Sequence, residues 1–362
     1  MAKTISQVLN QAYEPFNRYR WAKHFNRLHD GILKTGDVPP ASRVTFELTM
    51  KCNLSCQMCF RDRSNDEELN LEAVAKVIQN LGSAVKEISL IGGEIFLRKD
   101  IFDLLDLLKK NGLKVNFHTN GTLIDETSIE RLSGYDNFGR IGFSIDGTKE
   151  LHNRIRGSDT AFEKTIKGIK LMAGLFPTAV NSVIVGDNVK QLEEIFCLLN
   201  EKGVVEYRVE PEMFSSSEEV EDSRKIIGVE RDIIITQIKE NLTYDYSFGE
   251  FRRIKERLKK LSWEKGMRFN IAPRVADIDD EDFYKGDIRE KKKLFCKHLL
   301  VPRINPQGNL IFCHLIKKEF GNLVDNSLEY IWNGEEIREF RKRLLKSNLL
   351  PICKRCCRLR SI

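Results

Sequence analysis

The sequence lacks any apolar run long enough to cross a bilayer, so no transmembrane segment is predicted. Its first residues, Met1-Ala-Lys-Thr-Ile5, also lack the basic and then apolar pattern of a secretory signal peptide. No internal repeat and no low-complexity tract is evident. The nine cysteines, in a chain without an export signal, therefore favour a reducing cytoplasmic interior and metal ligation over disulfides.

Three of these cysteines, Cys52, Cys56 and Cys59, stand at C-x3-C-x2-C spacing. Three thiolates so close together can hold three irons of a [4Fe–4S] cube and leave the fourth iron open to a small molecule. A structural zinc site is the alternative, but it takes four ligands and usually has its cysteines in spaced pairs. A disulfide is the other alternative, but three cysteines cannot all pair with one another. The spacing therefore predicts an open [4Fe–4S] site.

The rest of the chain is organised around strand–helix units, as expected for the 362 residues of an α/β protein with one large and one smaller domain. Residues 1–42 are predicted to form an amphipathic helical segment that ends at Pro39-Pro40. Six strands alternating with helices follow, which predicts a partial (β/α)6 TIM-like barrel with its active site at the carboxyl ends of the strands. The predicted strands are Val44–Thr49, Glu87–Ile91, Lys114–His118, Arg140–Ile145, Thr178–Val185 and Val204–Glu210.

After Pro211 the alternation stops. The acidic stretch Ser215–Asp222 is predicted to be a loop or lid, and Arg224–Asn241 and Phe251–Lys265 are predicted to be helices. From Cys296 onward, short strands, turns and cysteines indicate a small metal-stapled module. The predicted domains are residues 1–42, the core 43–212, a helical linker or lid 213–290 and the module 291–362.

Together with the cysteine triad, several motifs at strand ends resemble those of radical S-adenosylmethionine (SAM) enzymes. The resemblance implies that the two glycines and the carboxylate of Gly92-Gly93-Glu94 receive the methionine amino group. It implies that Ser144 and Asp146 contact the ribose and that Arg156 grips the carboxylate of SAM, with Arg154 as the alternative. The further SAM-binding residues that it implies are Phe60 and Val185, beside the adenine, and Asn120, which lines the pocket.

The tail is similar to the SPASM extension of this family, in its shortened "twitch" form. Gly308 precedes Cys313 at G-x4-C spacing, and Cys353-x2-Cys356 ends the group. The resemblance implies one auxiliary [4Fe–4S] cluster held by four cysteines, Cys296, Cys313, Cys353 and Cys356. Cys357 is then a spare thiol or an alternate ligand. A zinc ribbon is the alternative, because these cysteines also suit tetrahedral zinc.

The charge of the chain is concentrated in this tail. Residues 285–362 hold 18 Lys and Arg against 8 Asp and Glu, although the net charge of the whole chain is only +6. Such a region can mark an anionic substrate, nucleic acid or an acidic partner. It can also be solvated surface, or offset the negative charge of a thiolate-ligated cluster. Nucleic acid is disfavoured.

The resemblance implies that SAM is cleaved reductively to a 5′-deoxyadenosyl radical, with two [4Fe–4S] clusters and a reductant of flavodoxin or ferredoxin type. An auxiliary cluster without an open iron favours oxidation of the substrate, which needs a proton acceptor. The candidates are Glu210 and Arg208, with Glu212, Tyr284 and Asp277 also near the predicted mouth. A polyol, aminocyclitol or carbohydrate-like substrate is predicted, because residues 1–42 are too short for a peptide-recognition domain. The alternatives are a ribosomal-peptide maturase, acting by cross-linking or epimerisation, and a non-catalytic iron–sulfur redox protein.

Overall fold

The computed structural model describes residues 23–59, 61, 66–228, 237–240, 247–273, 275 and 280–362. Residues 1–22 and Phe60 therefore lie outside the described residues, as does Asp277. The predicted N-terminal helix is observed over residues 23–35 (α1). It packs on the C-terminal module, where the rings of Phe25 and Phe295 lie 5.0 Å apart. None of the described helices is both long and apolar enough to span a membrane.

The first six strands follow the predicted alternation of strands and helices, and eight further strands come after them in the described residues. They are β1 Arg43–Glu47, β2 Glu87–Ile91, β3 Lys114–His118, β4 Phe138–Ser144, β5 Thr178–Ile184, β6 Glu206–Pro211, β7 Phe214–Ser215, β8 Gln237–Ile238, β9 Arg268–Ile271, β10 Leu294–Cys296, β11 Arg303–Ile304, β12 Asn309–Cys313, β13 Ile316–Asn322 and β14 Leu359–Ser361.

Twelve further α-helices follow α1 along the described residues. They are α2 Leu71–Asn80, α3 Ile101–Lys110, α4 Glu126–Leu132, α5 Lys149–Arg156, α6 Ala161–Ala173, α7 Leu192–Glu201, α8 Ser217–Ile227, α9 Phe248–Lys265, α10 Asp280–Lys285, α11 Ile288–Lys291, α12 Leu328–Trp332 and α13 Glu335–Lys346.

The main sheet has ten strands in the order β13-β12-β11-β1-β2-β3-β4-β5-β6-β9. Strands β1 to β6 are parallel in sequence order, which gives the predicted partial TIM-like barrel. A seventh parallel strand, β9, was not predicted and pairs with β6. At the other edge β11 pairs in parallel with β1, and β12 and β13 continue antiparallel.

Each barrel strand has one face toward the helices and one toward the barrel interior. In β1, Val44 and Phe46 are buried in the hydrophobic core against the helices, whereas Thr45 and Glu47 alternate with them and so point inward. Burial of such apolar side chains contributes about 1.5–3 kcal/mol each. The side chains that point inward are polar, so the barrel interior is suited to binding and catalysis rather than to hydrophobic packing.

The predicted loop or lid over Ser215–Asp222 is wrong. Residues Ser217–Ile227 form α8, whose first turn is closed by a capping box in which Ser216 accepts from the Glu219 amide and Glu219 accepts from the Ser216 amide. The predicted helix Arg224–Asn241 is also wrong, because α8 ends at Ile227 and Gln237–Ile238 is a strand. The predicted helix Phe251–Lys265 is confirmed as α9.

Candidate active site

The three-cysteine loop leaves the carboxyl end of β1. The thiols of Cys52 and Cys56 are half-buried and that of Cys59 is exposed. The loop is anchored on the last turn of α5, where the amide of Ser55 donates to the Arg156 carbonyl at 3.2 Å and the amide of Gln57 donates to the Ile155 carbonyl at 2.9 Å. The three thiols therefore lie where a parallel barrel has its active site.

Gly92 and Gly93 bring the end of β2 against this loop. The amides of Gly93 and Glu94 donate to the carbonyls of Thr49 and Lys51, each at 2.8 Å. A Cβ atom at Gly92 would lie 2.4 Å from the Thr49 oxygen, and one at Gly93 would lie 2.1 Å from the Lys51 oxygen. Glycine is needed at both positions because the backbone of the cysteine loop fills the space of a side chain.

The Glu94 carboxylate is fully buried and already has three donors. It accepts from the Thr119 hydroxyl at 2.8 Å, the Asn120 amide at 2.7 Å and the Phe96 amide at 3.1 Å. Burial raises its pKa, and these hydrogen bonds act in the opposite direction. Glu94 thus organises the turn after β3, and its predicted contact with the methionine amino group stays a prediction.

Asn120 is held beside the first cysteine by that turn. Its side-chain amide lies 3.9 Å from the Cys52 Sγ and donates to the Asn53 Oδ1 at 2.9 Å. An amide donor near a cysteine sulfur can hydrogen-bond a thiolate ligand, which is one of the means by which proteins tune a cluster. The structure therefore places Asn120 at the predicted site.

Arg156 joins the second cysteine to the ends of β4 and β5. Its Nε lies 2.5 Å from the Asp146 Oδ2, and its Nη1 lies 3.6 Å from the Cys56 Sγ. The Asp146 Oδ1 accepts from the Val183 amide at 2.8 Å. Burial raises the pKa of the Cys56 thiol, and the charge of Arg156 opposes this rise, so the guanidinium favours a thiolate there. Arg154 is exposed on the same helix.

The apolar side of the site is formed by β5 and α5. Val183 and Val185 pack against a small cluster of Met58, Leu151 and Ile155 that also contacts Cys56. An apolar surface beside the cysteines suits the adenine face predicted for Val185. Phe60, the other predicted adenine contact, lies outside the described residues.

Ser144 has a partner that the sequence analysis missed. Its hydroxyl lies 2.8 Å from the Nε2 of His118 at the end of β3. Burial, followed by the positive charges of Arg156 and Arg358, lowers the pKa of His118 to about 4, so the imidazole is neutral at neutral pH. His118 could have been identified from the sequence, because it ends a predicted strand at a position that points into the barrel.

The two predicted catalytic side chains point to different ends of the barrel. Arg208 donates to Glu206 at 2.7 Å, toward the amino-terminal end of the strands, where Glu206 also pairs with Arg140 at 3.2 Å. Glu210 lies closer to the mouth, 3.7 Å from the Nη1 of Arg358 in the C-terminal module. Of these two, Glu210 is the one placed near the cysteine loop.

The other suggested proton acceptors are less available. Glu212 pairs with Lys239 at 2.6 Å, and Tyr284 is buried on α10. Asp277 lies outside the described residues.

The C-terminal module holds five buried cysteines, Cys296, Cys313, Cys353, Cys356 and Cys357. Burial raises the pKa of the Cys313 thiol to about 11 and that of Cys353 to about 12. Burial also raises the pKa of the Cys296 thiol, and the nearby thiols of Cys353 and Cys313 raise it further. These three cysteines therefore lie near one another in an apolar setting, and such soft donors suit an iron–sulfur cluster.

The same four cysteines would also suit the tetrahedral zinc of a ribbon, the alternative left open by the sequence. Cys357 lies beside Cys356 and faces Glu210 and Arg358, whose charges act on its thiol.

A buried ion pair fixes the module to α8. Arg355 donates to both carboxylate oxygens of Glu219, at 2.8 and 3.1 Å, and its guanidinium lies 4.7 Å from the Phe214 ring centroid. The Ile352 amide donates to the Ser223 hydroxyl at 3.1 Å. The segment predicted to be a lid is therefore clamped to the cysteine module.

Comparison with protein families identifies two domains in this arrangement. The model of the radical SAM superfamily matches residues 46–199, which contain the cysteine loop and the strand ends described above. The model of the SPASM iron–sulfur cluster-binding domain matches residues 301–357. These domains imply SAM and [4Fe–4S] clusters, including an auxiliary cluster, as cofactors.

Curated relatives share part of the chain. The AdoMet-dependent heme synthase of Methanosarcina barkeri is 34% identical over 173 residues, which is 46% of this chain and 49% of the relative. The bacteriocin subtilosin biosynthesis protein AlbA of Bacillus subtilis is 34% identical over 155 residues, 41% of this chain and 35% of AlbA. The chain thus spans about half or less of the length of these two relatives.

Solved structures share the fold over most of the chain. SuiB of Streptococcus suis bound to S-adenosylmethionine has a TM-score of 0.63 and 16% identity, covering 94% of this chain and 78% of SuiB. A structure of anSMEcpe with bound AdoMet and the Cp18Cys peptide has a TM-score of 0.60 and 20% identity, covering 82% of this chain and 81% of that chain. At these identities the likeness concerns the fold.

Proposed function

We propose that this chain, in which a radical SAM domain is followed by a SPASM domain, is an oxidoreductase that acts on a substrate held between the cysteine loop and the C-terminal module. Cys52, Cys56 and Cys59 would hold the SAM-binding cluster. Four of the five buried module cysteines, predicted to be Cys296, Cys313, Cys353 and Cys356, would hold the auxiliary one. When bound, SAM and the clusters supply a carbon-centred radical that takes a hydrogen atom, and a site for the electron released on oxidation.

The main structural support for this proposal is the position of Arg156. Its side chain reaches both the Cys56 thiol and the Asp146 carboxylate, at the ends of β4 and β5. A protein that only carries electrons has no need to fix a guanidinium between a cluster ligand and the residues of a nucleotide pocket. A SAM-cleaving enzyme does, because its residues would have to hold SAM in a defined orientation beside the cluster.

The residues of the chain have three tasks in this reaction. Glu94 and Asn120 shape the turn beside Cys52, and the Asp146–Arg156 pair fixes Cys56. The module closes one side of the barrel through the pairing of β11 with β1, which limits the access of water. Glu210, facing Arg358, is the proposed acceptor for the proton that leaves the oxidised substrate.

Two classes of substrate are candidates for this reaction. The polyol, aminocyclitol or carbohydrate-like molecule predicted from the sequence has no counterpart in the names of the relatives reported above. A ribosomal-peptide maturase is the second candidate. It is favoured by the 34% identity to a bacteriocin biosynthesis protein. A peptide substrate would enter the same mouth of the barrel.

Anaerobic reconstitution tests the proposed function. With SAM and dithionite the protein should form 5′-deoxyadenosine and should bind about eight irons per chain, as two cubes require. Cys59→Ala should remove about half of the iron and abolish 5′-deoxyadenosine formation. The matched control is Cys197→Ala, a half-buried cysteine on α7 away from both sets, which should change neither. A wild-type protein that holds both clusters but forms no 5′-deoxyadenosine would sink the proposal.

A further inference from the structure

The backbone pairing of β4 and β5 changes at the carboxyl ends of the two strands. Here the Ile145 amide still donates to the Asn181 carbonyl, at 3.0 Å. In a regular parallel ladder the Val183 amide would donate next to the Ile145 carbonyl, but it donates instead to the Asp146 carboxylate, at 2.8 Å. The Ile145 carbonyl accepts from the Ser182 hydroxyl. Side chains therefore replace the backbone ladder from this point on.

One asparagine, Asn188, bridges the two segments where the ladder has ended. It lies in the short 3-10 turn Gly186–Gln191 that follows β5, and its side chain is fully buried. Its Nδ2 donates to the carbonyls of Asp146 and Val183, each at 2.7 Å. Its Oδ1 accepts from the Val185 amide at 2.9 Å. A single side chain thus satisfies three backbone groups, on the segment after β4 and on the end of β5.

Capping of the turn does not account for all three hydrogen bonds. The bond from the Val185 amide is local, and it is of the kind by which an asparagine side chain ordinarily fixes a turn. The bond to the Asp146 carbonyl joins residues that are 42 positions apart and reaches the neighbouring strand of the sheet. An asparagine needed only as a cap would not have to be fully buried between two strand ends.

The backbone that Asn188 holds belongs to the predicted SAM pocket. Asp146, whose carbonyl Asn188 binds, pairs through its carboxylate with Arg156, which reaches the Cys56 thiol. The two valines that Asn188 binds pack on the apolar side of the same site. Loss of the asparagine side chain would leave three backbone groups without these partners, and the two strand ends would have to move to satisfy them.

We infer that Asn188 is a positioning residue for SAM, because it holds the ends of β4 and β5 at the separation that the nucleoside half of SAM requires. The predicted ribose contacts and the predicted adenine face lie on the two segments that it joins. Fixing both segments before SAM binds lowers the ordering cost of binding, so more of the interaction energy appears as affinity. The inference rests on the proposed function, since that function makes SAM the ligand of this pocket.

The test is calorimetric titration of the iron-loaded full chain with SAM, without reductant so that no turnover occurs. Asn188→Ala loses all three hydrogen bonds, and Asn188→Asp keeps only the acceptor for the Val185 amide. Each should weaken SAM binding by about tenfold or more. The matched control is Asn137→Ala. Asn137 likewise donates to a backbone carbonyl, that of Leu113 at 2.8 Å, but it precedes β4 at the opposite end of the barrel, so its loss should leave the affinity for SAM unchanged.

A role in stability alone would lower the unfolding temperature of the Asn188 variants without changing their affinity for SAM. With reductant, the KM for SAM in 5′-deoxyadenosine formation should rise by about tenfold, whereas the rate at saturating SAM should change by less than about threefold. Iron content and thermal unfolding identify a variant that is folded and loaded. SAM binding by such a variant as tight as that of the wild type would overturn the inference alone, and so would an equal loss of affinity in Asn137→Ala. Absence of SAM binding by the wild-type protein would overturn the proposed function as well.

Discussion

Replacing Arg156 with glutamine should loosen the cysteine loop, because it leaves the Asp146 carboxylate buried without its counter-charge. Asp146 is fully buried and Arg156 is 9% exposed, so water screens the pair little. After the substitution, the Val183 amide still donates a hydrogen bond to the Asp146 carboxylate. Removing one partner of a buried pair typically destabilises a protein by about 3–5 kcal/mol.

The loss of stability should be detected first in the cysteine loop itself. Ser55 and Gln57 donate their amides to the carbonyls of the last turn of α5, which Arg156 ties to β4. If the local opening energy falls by about 3–5 kcal/mol, the exchange of these amides should accelerate by about 10²- to 5 × 10³-fold where exchange reports local opening. Hydrogen–deuterium exchange of peptides covering residues 50–59 measures this directly.

Two further variants separate the ion pair from other effects. Arg154→Gln removes an exposed charge from the same helix and should leave exchange unchanged. Asp146→Asn added to Arg156→Gln removes the unpaired charge and should recover much of the protection, giving a coupling of about 2 kcal/mol or more. If Arg156→Gln is as harmless as Arg154→Gln, or if Asp146→Asn recovers nothing, the pair does not anchor the loop.

Three other changes have defined outcomes. Cys353→Ala should lower the iron content from about eight to about four per chain while 5′-deoxyadenosine is still formed, and loss of that product in a folded variant would contradict the assignment of this cysteine to the auxiliary cluster. Gly93→Ala should impair 5′-deoxyadenosine formation because its Cβ would meet the backbone of the cysteine loop, whereas Gly31→Ala, in open space on α1, should raise stability by about 1 kcal/mol. The pKa of His118 is lowered from 6.5 to about 4 in the folded protein, so the neutral imidazole contributes stability above pH 6.5 that is lost as the pH falls toward 4. The loss over this window should be about 3 kcal/mol in the free energy of unfolding. The urea midpoint of His118→Gln should therefore fall less than that of the wild-type protein between pH 6.5 and pH 4.

The parallel core could be predicted in detail from the sequence. The bounds of Glu87–Ile91 and Lys114–His118 agree with β2 and β3 because each is a short run with buried apolar residues between two helical patterns. The cysteine loop and the glycines after β2 could be placed for the same reason, since they follow strand ends directly. The local sequence pattern was sufficient to predict those elements whose bounds depend on their own residues.

Two elements after Pro211 were missed for different reasons. Strand β9 has four residues, and its two alternating apolar side chains, Phe269 and Ile271, are too few to establish a strand pattern. Helix α8 does carry a signal in its sequence, because Ser216 and Glu219 form a capping box at its first turn. The acidic composition of the segment concealed it, and its stability comes from Arg355, 136 residues away in the sequence. Such tertiary pairing cannot be read from local composition.

The relation between the two sets of cysteines also depends on a long-range pairing. The three-cysteine loop follows β1, and β11 lies beside β1 with Thr45 opposite Arg303. The Arg303 Nε donates to the Glu47 carboxylate at 2.6 Å, at the buried inner face of this strand pair. Because β12 continues from β11 and ends at Cys313, the register of one strand pair sets the position of a module cysteine relative to the loop. A shift of that register by one residue would turn Arg303 away from Glu47, since side chains alternate between faces. The separation of the two proposed cluster sites is therefore built into the main sheet rather than into a linker.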